Sequence, residues 1–166
     1  SFNGLYNSGG TPANNSTINL VSVSVPTAAL GNGVEQVMTS NGTITTSHYD
    51  GYAFCNVPAQ VYIGGFHRRP SGNSTAVLTA TAPANLVDED GDTIPFSQIS
   101  WTSSGNGDGT NAQPFPAGTF TGGAQTLANF PSNTWRESCH TFRYGNDNVV
   151  AAGTYRGRVT YTLTAP

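Results

Sequence analysis

The sequence contains no lysine, and only 9% of its 166 residues are charged. An ordinary soluble domain has roughly 25% charged residues, so polarity here rests on neutral groups. The six basic residues are all arginines, and the net charge is -3. Since phosphate binding needs a positive field, we expect no nucleic-acid partner. The sequence also lacks a run of about 18 apolar residues, which predicts that no segment spans a membrane.

Residues that favour helices are scarce as well, and no segment repeats its apolar residues with a helical period. Short alternating segments bounded by Gly, Pro, Asn and Ser dominate, which is typical of β-strands. We predict an all-β chain of about eight to ten short strands, folded as an immunoglobulin-like or jelly-roll β-sandwich of Greek-key type. Residues 17–166 are expected to form this single domain, and residues 1–16, rich in Gly, Pro and Asn, a flexible N-terminal arm.

Strand-like segments occur throughout the predicted domain. Segments 34–40 and 43–49 flank Asn41-Gly42, a pair that predicts a type I′ hairpin turn. Segment 17–25 changes phase in its middle, which indicates a bulge or burial of both faces. The other predicted strands are 52–64, 74–82, 93–102, 118–121, 124–130, 135–144 and 155–164.

Catalytic motifs are missing too. The chain has no Gly-x-Ser-x-Gly elbow, no His-Glu-x-x-His and no glycine loop for phosphate. The histidines, His48, His67 and His140, do not have the spacing of a zinc site. Glu35 and Glu137 could serve as a glycosidase pair only if the fold brought their carboxyl groups together. We predict that the protein is not an enzyme.

One acidic cluster, at residues 88–92, offers the best metal site. Asp88, Asp90 and Asp92 occupy alternate positions of a turn, where carboxylates can converge on Ca²⁺. The cluster does not fit the EF-hand pattern, because the glycine and glutamate of that loop are not at the required positions. The alternative is a solvated turn between strands, and no other cofactor is predicted.

Cys55 and Cys139 lie in strand-like segments. An even number of cysteines in such a chain favours one disulfide, formed in an oxidising compartment. The alternative is a pair of buried thiols. The sequence starts at Ser1 rather than at methionine, as exported proteins do after loss of a signal peptide, so we expect a secreted, extracellular protein.

Several aromatic residues could bind the faces of sugar rings if they were exposed. They are Tyr49, Tyr52, Tyr62, Trp101 and Trp135. Trp101 follows an alternating segment and Trp135 lies near Cys139, so packing in the sheet interior is the expectation for both.

The last predicted strand, 155–164, has the most specific pattern. One face carries arginine and threonine, and the other carries Tyr155, Val159, Tyr161 and Leu163. With Gly153 and Gly157, this segment resembles the closing strand of bacterial pilins of the chaperone-usher kind, which commonly end in Gly-x-Tyr-x-Gly-x-Val-x-Tyr/Phe-x-Leu.

The resemblance implies a fimbrial subunit, an immunoglobulin-like sandwich that lacks one strand and receives it from the N-terminal segment of the next subunit. It implies a cell-surface filament of identical copies with a role in cell adhesion, and a periplasmic chaperone and outer-membrane usher as assembly partners. The candidate residues for strand exchange are Phe2, Leu5, Ile18, Leu20, Val21, Val23, Val25, Tyr155, Val159, Tyr161 and Leu163.

The sequence is compatible with two roles for segment 18–25 and with two further classes of protein. Segment 18–25 is either a donated strand or the first strand of the domain itself. The alternatives to a filament subunit are a secreted, monomeric carbohydrate-binding or adhesive β-sandwich and, in third place, a jelly-roll coat protein.

Overall fold

The computed structural model describes residues 18–105 and 114–165 in full and residues 2–7 by their backbone. These residues form antiparallel strands, joined by loops and by two short 3-10 turns at Thr27–Ala29 and Phe96–Gln98. The predicted all-β sandwich is confirmed. Within these ranges, no helix has the length and apolar character needed to cross a bilayer.

The described residues contain thirteen strands, more than predicted because several have only two or three residues. The strands are β1 (Phe2–Asn7), β2 (Val21–Ser22), β3 (Gln36–Val37), β4 (Thr39–Ser40), β5 (Val61–Arg68), β6 (Thr75–Thr81), β7 (Asn85–Val87), β8 (Thr93–Pro95), β9 (Ile99–Ser104), β10 (Gly118–Thr119), β11 (Ala124–Pro131), β12 (Trp135–Tyr144) and β13 (Thr160–Thr164).

Two sheets enclose the core. The larger sheet has the order β1-β5-β12-β9-β10, with β3 also paired to β12, and the smaller sheet has the order β11-β6-β13. Both sheets contribute to one buried cluster, which includes Ile63, Leu78, Trp101, Phe130 and Phe142. The short strands β2 and β4 pair with each other, as do β7 and β8.

Strand β12 is the centre of the larger sheet and has the predicted bounds. It pairs with β5 on one side and with β9 on the other. Alternate side chains of a strand point to opposite faces. Phe142 belongs to the core between the sheets, whereas Cys139 belongs to a second cluster on the outer face. Because both faces are covered, most of this strand is buried.

The predicted hairpin at Asn41-Gly42 is wrong. Strands β3 and β4, which precede this pair, are bonded to β12 and β2 rather than to segment 43–49. The Asn41 side chain accepts a hydrogen bond from the backbone N–H of Leu20 at 2.9 Å, and the Asn41 N–H donates to the Leu20 carbonyl at 3.1 Å. Asparagine side chains often bond to backbone groups in this way. Here the bonds to Leu20 hold Asn41 next to segment 18–25, so Asn41-Gly42 does not form the hairpin turn.

The predicted closing strand 155–164 is shorter than expected, because only its last five residues form β13. Before β13, Arg156 forms an isolated bridge to β7. Gly157 then passes so close to Phe96 that a Cβ on this glycine would lie 2.6 Å from the Cε2 atom of the ring. The alternating pattern therefore covers two pieces of structure, separated by a close contact that only glycine fits.

The predicted N-terminal arm contains a described segment. Residues 2–7 form β1, and the rest of the arm lies outside the described residues. Segment 18–25 contributes β2 and packs Val21, Val23 and Val25 against the core of its own domain.

Candidate functional site

Strands β1 and β13 are both edge strands. Among the described strands, each is hydrogen-bonded on one side only. β1 pairs with β5 along its whole length, from Phe2 opposite Arg68 to Asn7 opposite Ile63. β13 pairs with β6 over five residues. Strand edges carry backbone donors and acceptors that can bond to another strand.

These two strands belong to different sheets but lie side by side, with Cα atoms within 8 Å of one another. Leu163 of β13 extends toward β5, where its Cδ2 atom would lie 3.5 Å from a Cβ placed on Gly65. Leu163 therefore packs directly beside the backbone of Gly65. We refer to β1, β5 and β13 together as the seam.

The structure places the strand-exchange candidates in three environments. Phe2 and Leu5 lie in β1, opposite Arg68 and Gly65. Ile18 and Leu20 are exposed by 59% and 64%. The partly buried candidates, which pack against the core, are Val21, Val23, Val25, Tyr155, Val159, Tyr161 and Leu163. The seam brings together the candidates of β1 and β13 only.

The calcium site suggested for Asp88, Asp90 and Asp92 is not formed. The Asp88 carboxylate accepts hydrogen bonds from the backbone N–H groups of Asp90 and Asp92, at 3.1 and 2.8 Å, and so closes its own turn. Within residues 18–105 and 114–165, no three His, Cys, Asp or Glu side chains lie close enough together to hold a metal ion. The turn at residues 88–92 borders an open cleft of about 430 Å³, which is also lined by Gly153 and Arg156.

A second group of side chains lies on the outer face of the larger sheet. Its centre is the disulfide between Cys55 and Cys139, whose Cα atoms are 5.5 Å apart; this confirms the predicted bond. The residues packed around it are Ile44, Phe54, Tyr62, Phe66 and Trp135. We refer to these residues, the disulfide and Glu137 as the outer cluster.

Glu137 is the acidic residue of the outer cluster, and it is fully buried. Its Oε2 atom accepts hydrogen bonds from the Tyr62 hydroxyl and, at 2.7 Å, from Nε1 of Trp135. Gly64 makes the first bond sterically feasible, since a Cβ there would lie 2.8 Å from the Tyr62 hydroxyl oxygen. Burial and the hydrogen bond to Glu137 raise the pKa of Tyr62 far above its usual value, so the phenol remains a donor.

A tight turn at residues 47–52 borders the outer cluster. The buried Ser47 accepts hydrogen bonds at Oγ from the N–H groups of Tyr49 and Asp50, at 3.0 and 3.3 Å. The Asp50 carboxylate in turn accepts from the N–H of Tyr52 at 2.9 Å. The ring of Tyr49 stacks on Trp135 with centroids 5.7 Å apart and an interplanar angle of 28°. The turn therefore holds one aromatic ring at the surface in a defined orientation.

His48, on the same turn, touches the other side of Tyr62. Its backbone N–H donates to the Tyr62 hydroxyl at 3.4 Å, and the two rings meet edge to face with centroids 5.2 Å apart. Partial burial lowers the pKa of His48, and the nearby Glu137 carboxylate opposes this shift.

The fold divides the aromatic residues considered for sugar binding between the core and the outer face, where Tyr49, Tyr62 and Trp135 lie near one another. Trp101 is a core residue, as expected, and donates from Nε1 to the Pro116 carbonyl at 3.0 Å. Trp135 was expected in the sheet interior, but it is half-buried on the outer face of the larger sheet. Tyr62 is fully buried, whereas Tyr49 and Tyr52 are exposed by 69% and 57%.

Glu35 and Glu137 do not form a glycosidase pair. Glu35 approaches Arg143, with 4.0 Å between Oε2 and Nη1. Arg143 lies on β12 six positions beyond Glu137, which corresponds to about 20 Å along a strand. Glycosidases place the two carboxyl groups roughly 5 to 10 Å apart.

Arg136 is a buried polar residue that the sequence did not reveal. Its Nη2 atom donates to the Pro114 carbonyl at 2.9 Å, and its guanidinium lies 5.1 Å from the centroid of the Phe115 ring. Burial lowers the pKa of this arginine. The alternation of β12, which puts Arg136 on the same face as Phe142, is the one signal in the sequence for its inward position.

The chain has no significant match among protein-family models, curated proteins or solved structures.

Proposed function

We propose that this protein is the structural subunit of an extracellular filament, and that neighbouring subunits are joined by donation of a β-strand. The observation that carries the proposal is the ladder between β1 and β5, in which residues 2–7 complete the edge of the larger sheet. The same segment placed on the β5 of a neighbour would make the same backbone hydrogen bonds.

Strand β5 needs a partner on this side. Its first five residues are all buried, and its centre is the pair Gly64-Gly65, which has no side chains to shield the backbone. An uncovered edge of this kind pairs readily with another chain. A strand must therefore cover β5, either from the same subunit or from the next one.

The length of the connection permits both arrangements. Ten residues, 8–17, separate β1 from the next described segment. Their extended length of about 33 to 36 Å is roughly twice the radius of gyration of about 15 Å expected for a domain of this size. The donated strand can therefore reach an adjacent subunit.

The pilin-like C-terminal pattern supports the same interpretation, since Leu163 of this pattern lies at the seam beside β5. In such a filament, dissociation has to break the whole ladder at once, which gives the assembly kinetic stability. A periplasmic chaperone would cover the seam before assembly, and an outer-membrane usher would exchange it for the next subunit.

Deletion of residues 1–7 tests the proposal. We expect the full chain to form filaments in negative-stain electron microscopy and to scatter light as a polymer after heating in detergent, and we expect the deletion to abolish both. As a control, a Gly/Ser linker of equal length replacing residues 9–15 keeps β1 and should preserve assembly. A full chain that remains a monodisperse monomer, or a deletion variant that still polymerises, would contradict the proposal.

A further inference from the structure

We infer that the stack of Tyr49 on Trp135 is a binding site for an uncharged sugar ring, separate from the seam. Three aromatic rings are in contact at this place. Tyr49 lies on Trp135 at 5.7 Å, and Trp135 lies on Phe66 at 5.8 Å between centroids. Tyr49 is the outermost ring and is 69% exposed, so its second face is open to solvent.

The stack of Tyr49 on Trp135 is held in place before any ligand arrives. The hydrogen bond from Trp135 Nε1 to the buried Glu137 fixes the indole. The two hydrogen bonds to Ser47 Oγ fix the backbone that carries Tyr49. A ring that is already ordered loses little conformational entropy on binding, which favours affinity for a small ligand.

The chemistry of the turn favours a neutral, polyhydroxylated ligand. An aromatic face packs against the C–H face of a pyranose, and adjacent acceptors bind its hydroxyl groups. Asp50, next to Tyr49 and exposed, supplies a carboxylate, whereas residues 47–52 contain no arginine that would attract an anion.

The size of the exposed surface argues against a protein partner. A Tyr or Trp side chain buries about 150 to 250 Å², whereas a stable protein interface needs about 800 Å² on each partner. The exposed ring of Tyr49 matches one or two sugar units instead.

Tryptophan fluorescence provides the test on the full-length protein. Trp101 is only 3% exposed, so a ligand on the stack should change the emission of Trp135 and leave that of Trp101. Cellohexaose, chitohexaose, xylohexaose and mannohexaose are titrated separately to millimolar concentration. We expect a saturable change with at least one of them, and Tyr49→Ala should weaken this binding by about tenfold or more.

Tyr52→Ala is the matched control, since it removes an exposed tyrosine of the same turn that has no ring contact among the described residues. It should leave affinity within about twofold. Tyr49→Leu keeps an apolar side chain without a ring and should lose binding like Tyr49→Ala.

No saturable response with any of the sugars, a response that Tyr49→Ala leaves unchanged, or equal losses in the Tyr49→Ala and Tyr52→Ala variants would overturn the inference. An emission change that follows protein concentration without sugar would assign the stack to contacts between copies and would also overturn it. Filament formation is scored separately on the same variants, so failure of sugar binding leaves the strand-donation proposal unaffected.

Discussion

Glu137 is an acidic residue with no accessible surface on a chain that has few charges. A buried polar group is destabilising unless it is hydrogen-bonded. The Tyr62 hydroxyl and the Trp135 indole supply such bonds. The outer cluster therefore depends on donors as well as on apolar packing.

Tyr62→Phe should lower the free energy of unfolding by about 1 to 3 kcal/mol, because it leaves a buried carboxylate with one donor fewer. Urea unfolding at neutral pH measures the change. Tyr52→Phe removes the hydroxyl of an exposed tyrosine and should stay within about 0.5 kcal/mol of the wild type. Equal midpoints for the two variants would show that the bond to Glu137 adds nothing to stability.

His140 is buried in the sandwich core. Its Nε2 atom lies 3.0 Å from Ser138 Oγ, and its Nδ1 atom has no hydrogen-bond partner in the described part of the chain. Burial lowers the pKa of His140 from 6.5 to about 3. The folded protein therefore keeps this imidazole neutral well below the pH at which the unfolded chain protonates it.

The contribution of neutral His140 to stability should be complete above pH 6.5 and should fall as the pH drops toward 3, by about 1.4 kcal/mol per pH unit. His140→Gln keeps a polar partner for Ser138 but does not titrate, so its unfolding free energy should depend less steeply on pH in this window. Urea midpoints at pH 7.5, 5.5 and 4.5 measure the slope. Identical slopes for both proteins would rule out His140 as a source of acid sensitivity.

At the residue scale, the sequence predicted the cysteine pair because cysteines have few alternative roles in such a chain. It could not predict that Asn146 is buried. The Asn146 side chain bonds to the backbone of Gly31 and Ala29, 115 and 117 positions away. Buried polar residues depend on partners of this kind, and alternation within one segment contains no information about them.

At the scale of elements, the sequence patterns predicted the strand bounds correctly where a single regular strand is buried along its length. The predicted range 135–144 coincides with β12, and β6 lies within the predicted 74–82. The patterns failed where contacts from other segments interrupt a strand. Asn41 bonds to Leu20 instead of closing a hairpin, and Gly157, in close contact with Phe96, lies before the ladder that β13 forms with β6.

Gly157→Ala should lower the free energy of unfolding by about 1 to 3 kcal/mol, since a methyl group there would overlap the Phe96 ring. Gly123→Ala is the matched control, because a Cβ at that position meets no atom within 4 Å. Thermal unfolding of both variants measures the difference. A Gly157→Ala protein as stable as the control would mean that the segment between Arg156 and β13 shifts without loss.

At the scale of the whole molecule, the disulfide joins the segment that contains residues 43–56 to the centre of the larger sheet. The two cysteines are 84 positions apart. A cross-link that closes a loop of this length stabilises a fold by roughly 4 to 5 kcal/mol in the chain-entropy model.

Replacement of both cysteines by alanine should therefore lower the free energy of unfolding by several kcal/mol, on the order of 4. Guanidinium unfolding of this variant and of the oxidised wild type gives the difference. Unfolding of the wild type with reductant should reproduce it. A loss below about 1 kcal/mol would mean that packing in the outer cluster holds residues 43–56 against the larger sheet without the disulfide.

The seam poses the main question about the whole molecule. In a single chain, β1 covers the β5 of its own subunit. In a filament joined by strand donation, the same register would connect two subunits. Phe2 lies opposite Arg68, and paired strands place opposite Cα atoms about 4.5 to 5.5 Å apart, a distance that a disulfide can bridge.

Oxidative cross-linking of a Phe2→Cys, Arg68→Cys variant distinguishes the two arrangements. Strand donation predicts that assembled filaments yield a ladder of covalent multimers on non-reducing gels and that reductant collapses the ladder to monomer. A Phe2→Cys, Asn73→Cys variant, whose second site lies outside β5, should give no ladder. Filaments in which the Phe2→Cys, Arg68→Cys pair closes only within single chains would contradict strand donation.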